Sequence, residues 1–187
     1  MKLTGRTILI TGGSAGIGLA FALKFLELGN TVIVTGRRQT VLDEVKAKYP
    51  KLHTFQGDVA DPTQIANLAA RVKTEYPKLD VLMNNAGIML YKNLKSSAAD
   101  LDGLMAEVNI NVGGVIRMNS AFIDILVANK GTIINVSSGL AFVALHPPQS
   151  TRPLRPRSTP TPSRCGSNWR KPTWRSLKSC HLRSRPI

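Results

Sequence analysis

The stretch Thr7–Gly18, TILITGGSAGIG, joins a short β-branched run to a cluster of glycines and then to a helical pattern. We expect Gly12 to form the tight turn, Gly16 to let the backbone approach a pyrophosphate, and Gly18 to let the helix pack closely on the strand. The amino end of the following helix offers unpaired N–H groups to phosphates. Any tight turn can contain glycines. Here a strand precedes the glycine-rich turn and a helix follows it, and this context favours a nucleotide site.

Strand-like and helix-like patterns alternate along the rest of residues 1–143. The strand-like runs are RTILIT, NTVIVTG, LHTFQGDV, LDVLMNNAG and GTIINVSS. Among the helical patterns, one ends at the C-cap residue Gly29, one begins with Asp61 as N-cap and Pro62, and one runs from about 97 to 129 with a break. Because the strands are apolar on both faces and helices lie between them, the pattern predicts a doubly wound α/β domain with a parallel sheet.

The charge of the chain is distributed unevenly between two segments of different composition. The formal net charge of +14 would by itself suggest a nucleic-acid or membrane partner. However, residues 1–146 hold all 11 acidic residues and 15 of the 25 Lys and Arg, a net of 15 − 11 = +4. Residues 147–187 hold the other 10 basic residues and 8 of the 11 prolines. We therefore predict a domain at 1–143 and a disordered Pro/Arg/Ser-rich tail at 144–187, and no nucleic-acid partner.

Targeting, membrane and metal signals are weak in this sequence. Met1–Gly5 is polar, which argues against a signal peptide, and no apolar run is expected to reach the length of a membrane span. Cys165 and Cys180 do not have the spacing of metal ligands. We expect a cytoplasmic protein with no metal and no membrane partner.

Several further motifs follow the glycine-rich turn in a fixed order. They are Gly57-Asp58-Val59, Asn84–Gly87, Asn109–Gly114 and Ile134–Gly139, after the spacing Thr11-Gly12-x-x-x-Gly16-Ile17-Gly18. With these motifs, the chain from Leu3 to about Val143 resembles the classical short-chain dehydrogenases/reductases. The resemblance implies a Rossmann-type sheet, of which five of the usual seven strands are recognisable, and hydride transfer between a nicotinamide and a small carbonyl or alcohol substrate. Members of the family form oligomers; the state of this chain is left open.

The resemblance assigns a set of cofactor-binding residues. They are Gly12, Ser14, Gly16, Ile17, Gly18, Arg37, Arg38, Asp58, Val59, Asn85, Ala86 and Gly87. Asp58 and Val59 would line the adenine, and the segment 85–87 would lie beside the ribose. Taken without the family, Asn84 and Asn85 would be assigned to a strand-end turn.

The end of the second strand, VTGRR, bears on the choice of cofactor. NAD-dependent members usually carry an acid here that binds the ribose 2′-hydroxyl, and this chain has none. Arg37 and Arg38 could instead pair with a 2′-phosphate, which favours NADP over NAD. The alternative is two solvated arginines at a helix start.

The family resemblance also assigns catalytic residues. Ser138 matches the serine that hydrogen-bonds the substrate oxygen, and Asn111 matches the asparagine that holds a proton-relay water. The alternatives are a strand-end hydroxyl bonded to the backbone and a helix asparagine bonded to a nearby loop. The family's catalytic Tyr-x-x-x-Lys should follow Ser138 by thirteen residues, but Thr151 and Arg155 stand there.

A change of reading frame would account for the missing tyrosine and lysine. Tyr91 and Lys95 have the right mutual spacing but precede Ser138, so we interpret that pair as a coincidence. The codons from Ser150 onward, with each codon starting one base earlier, permit Tyr-Ser-Ala-Thr-Lys beginning at position 151. We hypothesise a one-base frameshift between about Val143 and Ser150, which leaves the chain truncated as a family member.

Three consequences are expected for function. The chain should bind NADP(H) weakly and should not reduce carbonyls, and its sheet should have a bare edge beside the fifth strand. A catalytically silent NADP-binding protein is one alternative. The other is a nucleic-acid-binding protein whose basic tail, with Trp169 and Trp174, contacts RNA or DNA.

Overall fold

The computed structural model describes residues 3–90 and 101–138. The strands are β1 Thr7–Thr11, β2 Thr31–Gly36, β3 His53–Gln56, β4 Val81–Asn84 and β5 Thr132–Asn135. The helices are α1 Gly16–Glu27, α2 Gln39–Lys48, α3 Pro62–Glu75, α4 Leu101–Val108 and α5 Gly114–Ala128, with a π-helical segment, the π-turn, at Asn109–Gly113. The expectations about Tyr91, Lys95, Thr151, Arg155 and the tail fall outside the described residues.

The five strands form one parallel sheet in the order β3-β2-β1-β4-β5. The predicted doubly wound α/β fold is therefore confirmed. The chain leaves β1 toward β2 and β3, then returns to the other side of β1 for β4 and β5. The strand order thus reverses between β1 and β4, where Leu9 is paired with both Ile33 and Leu82. In folds of this kind, ligands bind in the crevice at the carboxyl ends of the strands at such a reversal.

Apolar side chains fill both faces of the sheet, as the sequence predicted. On one face, Leu9 and Leu82 pack with α3 and α5 through residues such as Phe122. On the other face, Ile8 and Ile10 pack in a second cluster with residues of α1 and α2. The alternation along β1 places neighbouring residues on opposite faces, because successive strand side chains point to opposite sides. The result is a three-layer domain with helices on both faces.

Two helix ends follow the sequence signals closely. The Asp61 carboxylate accepts from the N–H groups of Thr63 (2.8 Å) and Gln64 (3.2 Å), with Pro62 in the first helical turn. Gly29 has φ +77° and donates its N–H to Leu26 O, and the next N–H, from Asn30, donates to Phe25 O. This pair of bonds is the Schellman arrangement, which glycine favours because it adopts a positive φ without strain.

The helix after β4 is continuous through the described residues where the sequence indicated a break. The π-turn carries the helix through Gly113 and Gly114, so Asp102–Ala128 forms 27 residues with a hydropathy of 1.4 in its most apolar window. By length and composition this helix could cross a membrane, and the expectation that no segment is long enough was wrong. The pair Gly113-Gly114 suggests a break in the helix. The helix continues through both glycines because Gly114 N–H donates an i→i+5 bond to Asn109 O. The helix also packs on the sheet through the buried Met118 and Phe122.

Candidate functional site

A cleft lies at the carboxyl ends of β1 to β4, where the strand order reverses. It is lined by Gly12, Ser14, Ala15, Thr35, Gly36, Arg37, Arg38, Gly57, Asp58, Val59, Ala86, Gly87, Ile88 and Ile110. Eight of these were among the predicted cofactor residues. The others, Ala15, Thr35, Gly36, Gly57, Ile88 and Ile110, were missed, although most of them neighbour a predicted residue in the chain. Ile110 lies within the motif Asn109–Gly114 and Ile88 directly follows Gly87, but neither was assigned to the cleft, because only folding brings their segments together.

The glycine-rich turn has no room for side chains at three positions, Gly12, Gly13 and Gly18. A Cβ on Gly12, whose φ is +65°, would lie 2.9 Å from Ala86 Cα. A Cβ on Gly18 would lie 2.4 Å from both Gly12 O and the amide nitrogen of Asn85. The turn is thus pressed against the segment after β4. Gly18 allows close packing as predicted, but its partners are the turn and Asn85.

Asn85 supports the turn and does not line the cleft. Its side-chain Nδ2 donates to Thr11 O (3.0 Å) and Gly12 O (3.3 Å). The Thr11 hydroxyl in turn accepts from the backbone N–H groups of Asn85 and Ala86, each at 3.0 Å. These bonds fasten the end of β4 to the end of β1, and they leave Ala86 and Gly87 as the cleft-facing part of the predicted segment.

The amino end of α1 opens toward the cleft. Its N-cap residue Ala15 lines the cleft and has no side-chain capping bond. No acidic residue lies in the first turn of the helix. The helix dipole and these uncapped N–H groups favour an anion at this end. Of the remaining predicted residues, Gly16 has φ +55° in the turn, and Ile17 is exposed, 67% accessible, outside the cleft lining.

Two cations and one carboxylate border the cleft beyond β2 and β3. Arg37 and Arg38 are both exposed, and neither forms an ion pair within the described part of the chain. The Asp58 carboxylate accepts from Ala60 N–H (2.9 Å), and Asp58 N–H donates to the Gln64 side chain (3.0 Å). Asp58 therefore shapes its own loop, while the two arginines are available to an anionic ligand.

Asn111 lies in the π-turn and holds the segment that follows β4. Its Nδ2 donates to Ile88 O (2.7 Å), and its Oδ1 accepts from Ile88 N–H (2.8 Å). The helix-asparagine alternative thus describes its side chain, which is bonded to a neighbouring loop at two points. Glu107 adds a further contact to this segment by accepting from Leu90 N–H. Ser138 lies exposed three residues beyond β5, at the same edge of the sheet.

Asn84 links β4 to its neighbours beneath the cleft. It is buried, and its Nδ2 donates to the side-chain oxygens of Asn119 on α5 (2.8 Å) and Asn135 on β5 (2.9 Å). Its own Oδ1 has no hydrogen-bond partner among the described residues. These bonds of Asn84 fix the end of β4. Asn85, the next residue, then holds the glycine-rich turn through its bonds to Thr11 and Gly12.

The cleft as built fits a dinucleotide. Its glycines let a ligand approach the backbone closely, the end of α1 suits a pyrophosphate, and the arginine pair suits a further phosphate. No group of three or more His, Cys, Asp or Glu that could hold a metal occurs within residues 3–90 and 101–138.

Comparisons with known proteins agree with this geometry. A family model described as short chain dehydrogenase matches residues 6–147. The uncharacterized oxidoreductase DltE of Bacillus subtilis is 43% identical over 150 residues, which cover 79% of this chain and 60% of DltE. The NADP-dependent 3-hydroxy acid dehydrogenase YdfG of Escherichia coli O6:H1 is 33% identical over 133 residues, 70% of this chain and 53% of YdfG. The chain thus spans a little over half the length of these curated relatives.

Solved structures show the same fold. The structure of gox2181 superposes with a TM-score of 0.72 at 24% identity, covering 78% of this chain and 58% of gox2181. A short-chain dehydrogenase from Streptomyces avermitilis superposes with a TM-score of 0.66 at 32% identity, covering 74% of this chain and 51% of that protein.

Proposed function

Because the chain belongs to the short-chain dehydrogenase family of oxidoreductases, we propose that its cleft binds NADP(H) in preference to NAD(H). The observation that carries the preference is the pair Arg37 and Arg38, exposed at the cleft with no ion-pair partner among the described residues. No acid follows β2 that would select a ribose 2′-hydroxyl. The name of YdfG, an NADP-dependent relative, supports the same preference.

Each part of the cleft has a place in this proposal. The turn at Gly12 and the amino end of α1 would hold the pyrophosphate, and the two arginines would hold the 2′-phosphate. Asp58 and Val59 would border the adenine, while Ala86 and Gly87 would border the ribose nearer the nicotinamide. Asn85 acts indirectly, because its amide holds the turn in place.

The chemistry proposed for the family site is hydride transfer to a carbonyl carbon, or from an alcohol carbon, of a small molecule. NADP(H), when bound, supplies or accepts the hydride. Ser138 would donate a hydrogen bond to the substrate oxygen, and Asn111 in the π-turn would hold a relay water. Ser138 follows β5, and Asn111 lies in the π-turn, where its side chain is already fixed by Ile88.

We propose that this chain is catalytically impaired. A reduction needs a proton for the substrate oxygen, and the family obtains it from a tyrosine whose pKa a lysine lowers. At the corresponding positions this sequence has Thr151 and Arg155. A threonine hydroxyl is a far weaker acid than a phenol, so it cannot take over the role. A one-base frameshift before Ser150 remains our explanation for the substitution, and sequencing the transcript across these codons tests it directly.

The cofactor preference can be tested by substituting the arginines. We expect the double variant R37A/R38A to raise the Kd for NADPH at least tenfold while changing the Kd for NADH less than twofold, because only NADPH carries the 2′-phosphate. Nicotinamide fluorescence would follow both titrations. The control K73A removes a cation from the last turn of α3, at the opposite edge of the sheet. Equal losses for NADPH and NADH, or no loss for NADPH, would contradict the proposed role of the arginines.

A further inference from the structure

Arg117, on the first turns of α5, makes three hydrogen bonds to neutral oxygens. Its Nη1 donates to Asn109 O (3.1 Å) and Val59 O (3.4 Å), and its Nη2 donates to Asn109 Oδ1 (2.6 Å). It forms no ion pair with a carboxylate within residues 3–90 and 101–138. The guanidinium therefore acts here as a set of directed donors rather than as half of a charge pair.

Two glycines of the adjoining helix make room for this arrangement. A Cβ on Gly113 would lie 2.9 Å from Arg117 Nη1, and a Cβ on Gly114 would lie 2.8 Å from Val59 Cγ2. The first glycine thus admits the guanidinium, and the second admits the loop after β3. Asn109 O, which Arg117 reaches, also accepts the i→i+5 bond from Gly114 N–H that defines the π-turn.

The segments joined by Arg117 form two walls of the cleft. Val59 lines the cleft directly, and so does Ile110, which follows Asn109 in the π-turn. Asn111 comes next and holds Ile88, a third lining residue, through its two hydrogen bonds. A single side chain thus connects the loop after β3 to the π-turn, and through the π-turn to the segment after β4.

We infer that Arg117 is a positioning residue. It holds Val59, on one wall of the cofactor cleft, at a fixed position relative to the π-turn, which forms a second wall. The inference rests on the proposed function, because NADP(H) is the ligand for which the two walls must keep this relative position. Arg117 itself does not line the cleft, so it acts through Val59 and Asn109. Without its guanidinium, both walls lose their common anchor while the rest of the sheet keeps its own contacts.

The experiment compares R117M and R117K with the wild type, and uses K73M as a control at an exposed cation on α3. Hydrogen exchange of the free protein is measured over residues 57–60 and 109–114, and the Kd for NADPH is measured by titration. We expect R117M to exchange faster in both segments but not in α1, and to bind NADPH about tenfold more weakly. R117K, which keeps a single donor nitrogen, should lie between R117M and the wild type, and K73M should match the wild type.

The outcomes separate this inference from the proposed function. If a folded R117M exchanges at the wild-type rate in either segment, or only exchanges faster everywhere with an unchanged Kd, Arg117 is not a positioning residue. If R117M does not fold, faster exchange of R117K in both segments supports the inference, and wild-type rates overturn it. If the wild type itself does not bind NADPH, the proposed function fails, while exchange in the free protein still decides whether Arg117 couples the two segments.

Discussion

Single residues shape the cleft largely by the side chains that they lack. A Cβ on Gly18 would overlap Gly12 O and the Asn85 amide, and a Cβ on Gly13 would lie 2.6 Å from Val34 Cγ1. The turn therefore sits closer to β2 and to the segment after β4 than any other residue type would permit. Asn85 and Thr11 then fix that close approach by hydrogen bonds. Preorganisation of this kind places backbone N–H groups before a ligand arrives.

Substitution of Gly18 tests this close packing. We expect Gly18→Ala to raise the Kd for NADPH at least tenfold, because the added methyl must displace Gly12 or Asn85 from the turn. K24A is a suitable control on the same helix, since Lys24 is exposed and pairs only with Glu27 among the described residues. Titration by nicotinamide fluorescence measures both variants. An affinity of G18A within twofold of the wild type would show that the turn can relax without loss.

At the scale of elements, the π-turn and the cap of α3 place two of the cleft's segments. π-helical segments inside α-helices occur often at functional sites, and here one brings Asn111 to Ile88. The loop after β3 runs directly into α3, whose first turn is capped by Asp61. The pKa of Asp61 is lowered, chiefly because the Gln64 backbone N–H donates to its carboxylate, with a further bond from the Gln64 side chain.

The lowered pKa of Asp61 predicts how the cap responds to pH. A carboxylate whose pKa is depressed on folding stabilises the fold fully above its unfolded pKa of ~3.9, and loses that contribution as the pH falls through the folded value. We expect D61A to lower the Tm by a few degrees at neutral pH. D61N keeps a capping oxygen but does not titrate, so it should stay near the wild-type Tm at neutral pH and fall less on acidification. Thermal unfolding followed by circular dichroism decides; a D61A variant with the wild-type Tm at neutral pH would refute the cap.

For the whole molecule, the sequence predicted most of the fold and part of the site. Strands buried on both faces, such as β1 and β2, have continuous apolar runs that identify them without tertiary information. The glycines, Asp58 and the arginine pair belong to short motifs whose spacing is local. What could not be predicted depends on contacts between distant segments. Arg117 meets Val59 across 58 positions, and a lone arginine in a helical pattern carries no sign of that contact.

The exposed apolar face of the long helix also depends on contacts between distant segments, so the sequence alone did not predict it. A stripe of exposed apolar residues runs along the long helix, comprising Met105, Val108, Val112, Ile116, Ile123 and Val127. Within the described residues β5 pairs with β4 alone, and Ile133 and Ile134 are only partly buried. Exposed apolar surface of this kind promotes association. We therefore expect self-association in solution, which light scattering would measure during the binding titrations.

We propose that this chain binds NADP(H) in its cleft but does not turn it over. The most direct measurement is a titration of the purified chain with NADPH, followed in the same sample by the NADPH absorbance after addition of a panel of small aldehydes and ketones. We predict saturable binding at one site per chain, tighter for NADPH than for NADH, and no consumption of NADPH beyond the protein-free rate. Absence of saturable binding would contradict the cofactor site, and steady consumption would contradict the proposed loss of catalysis.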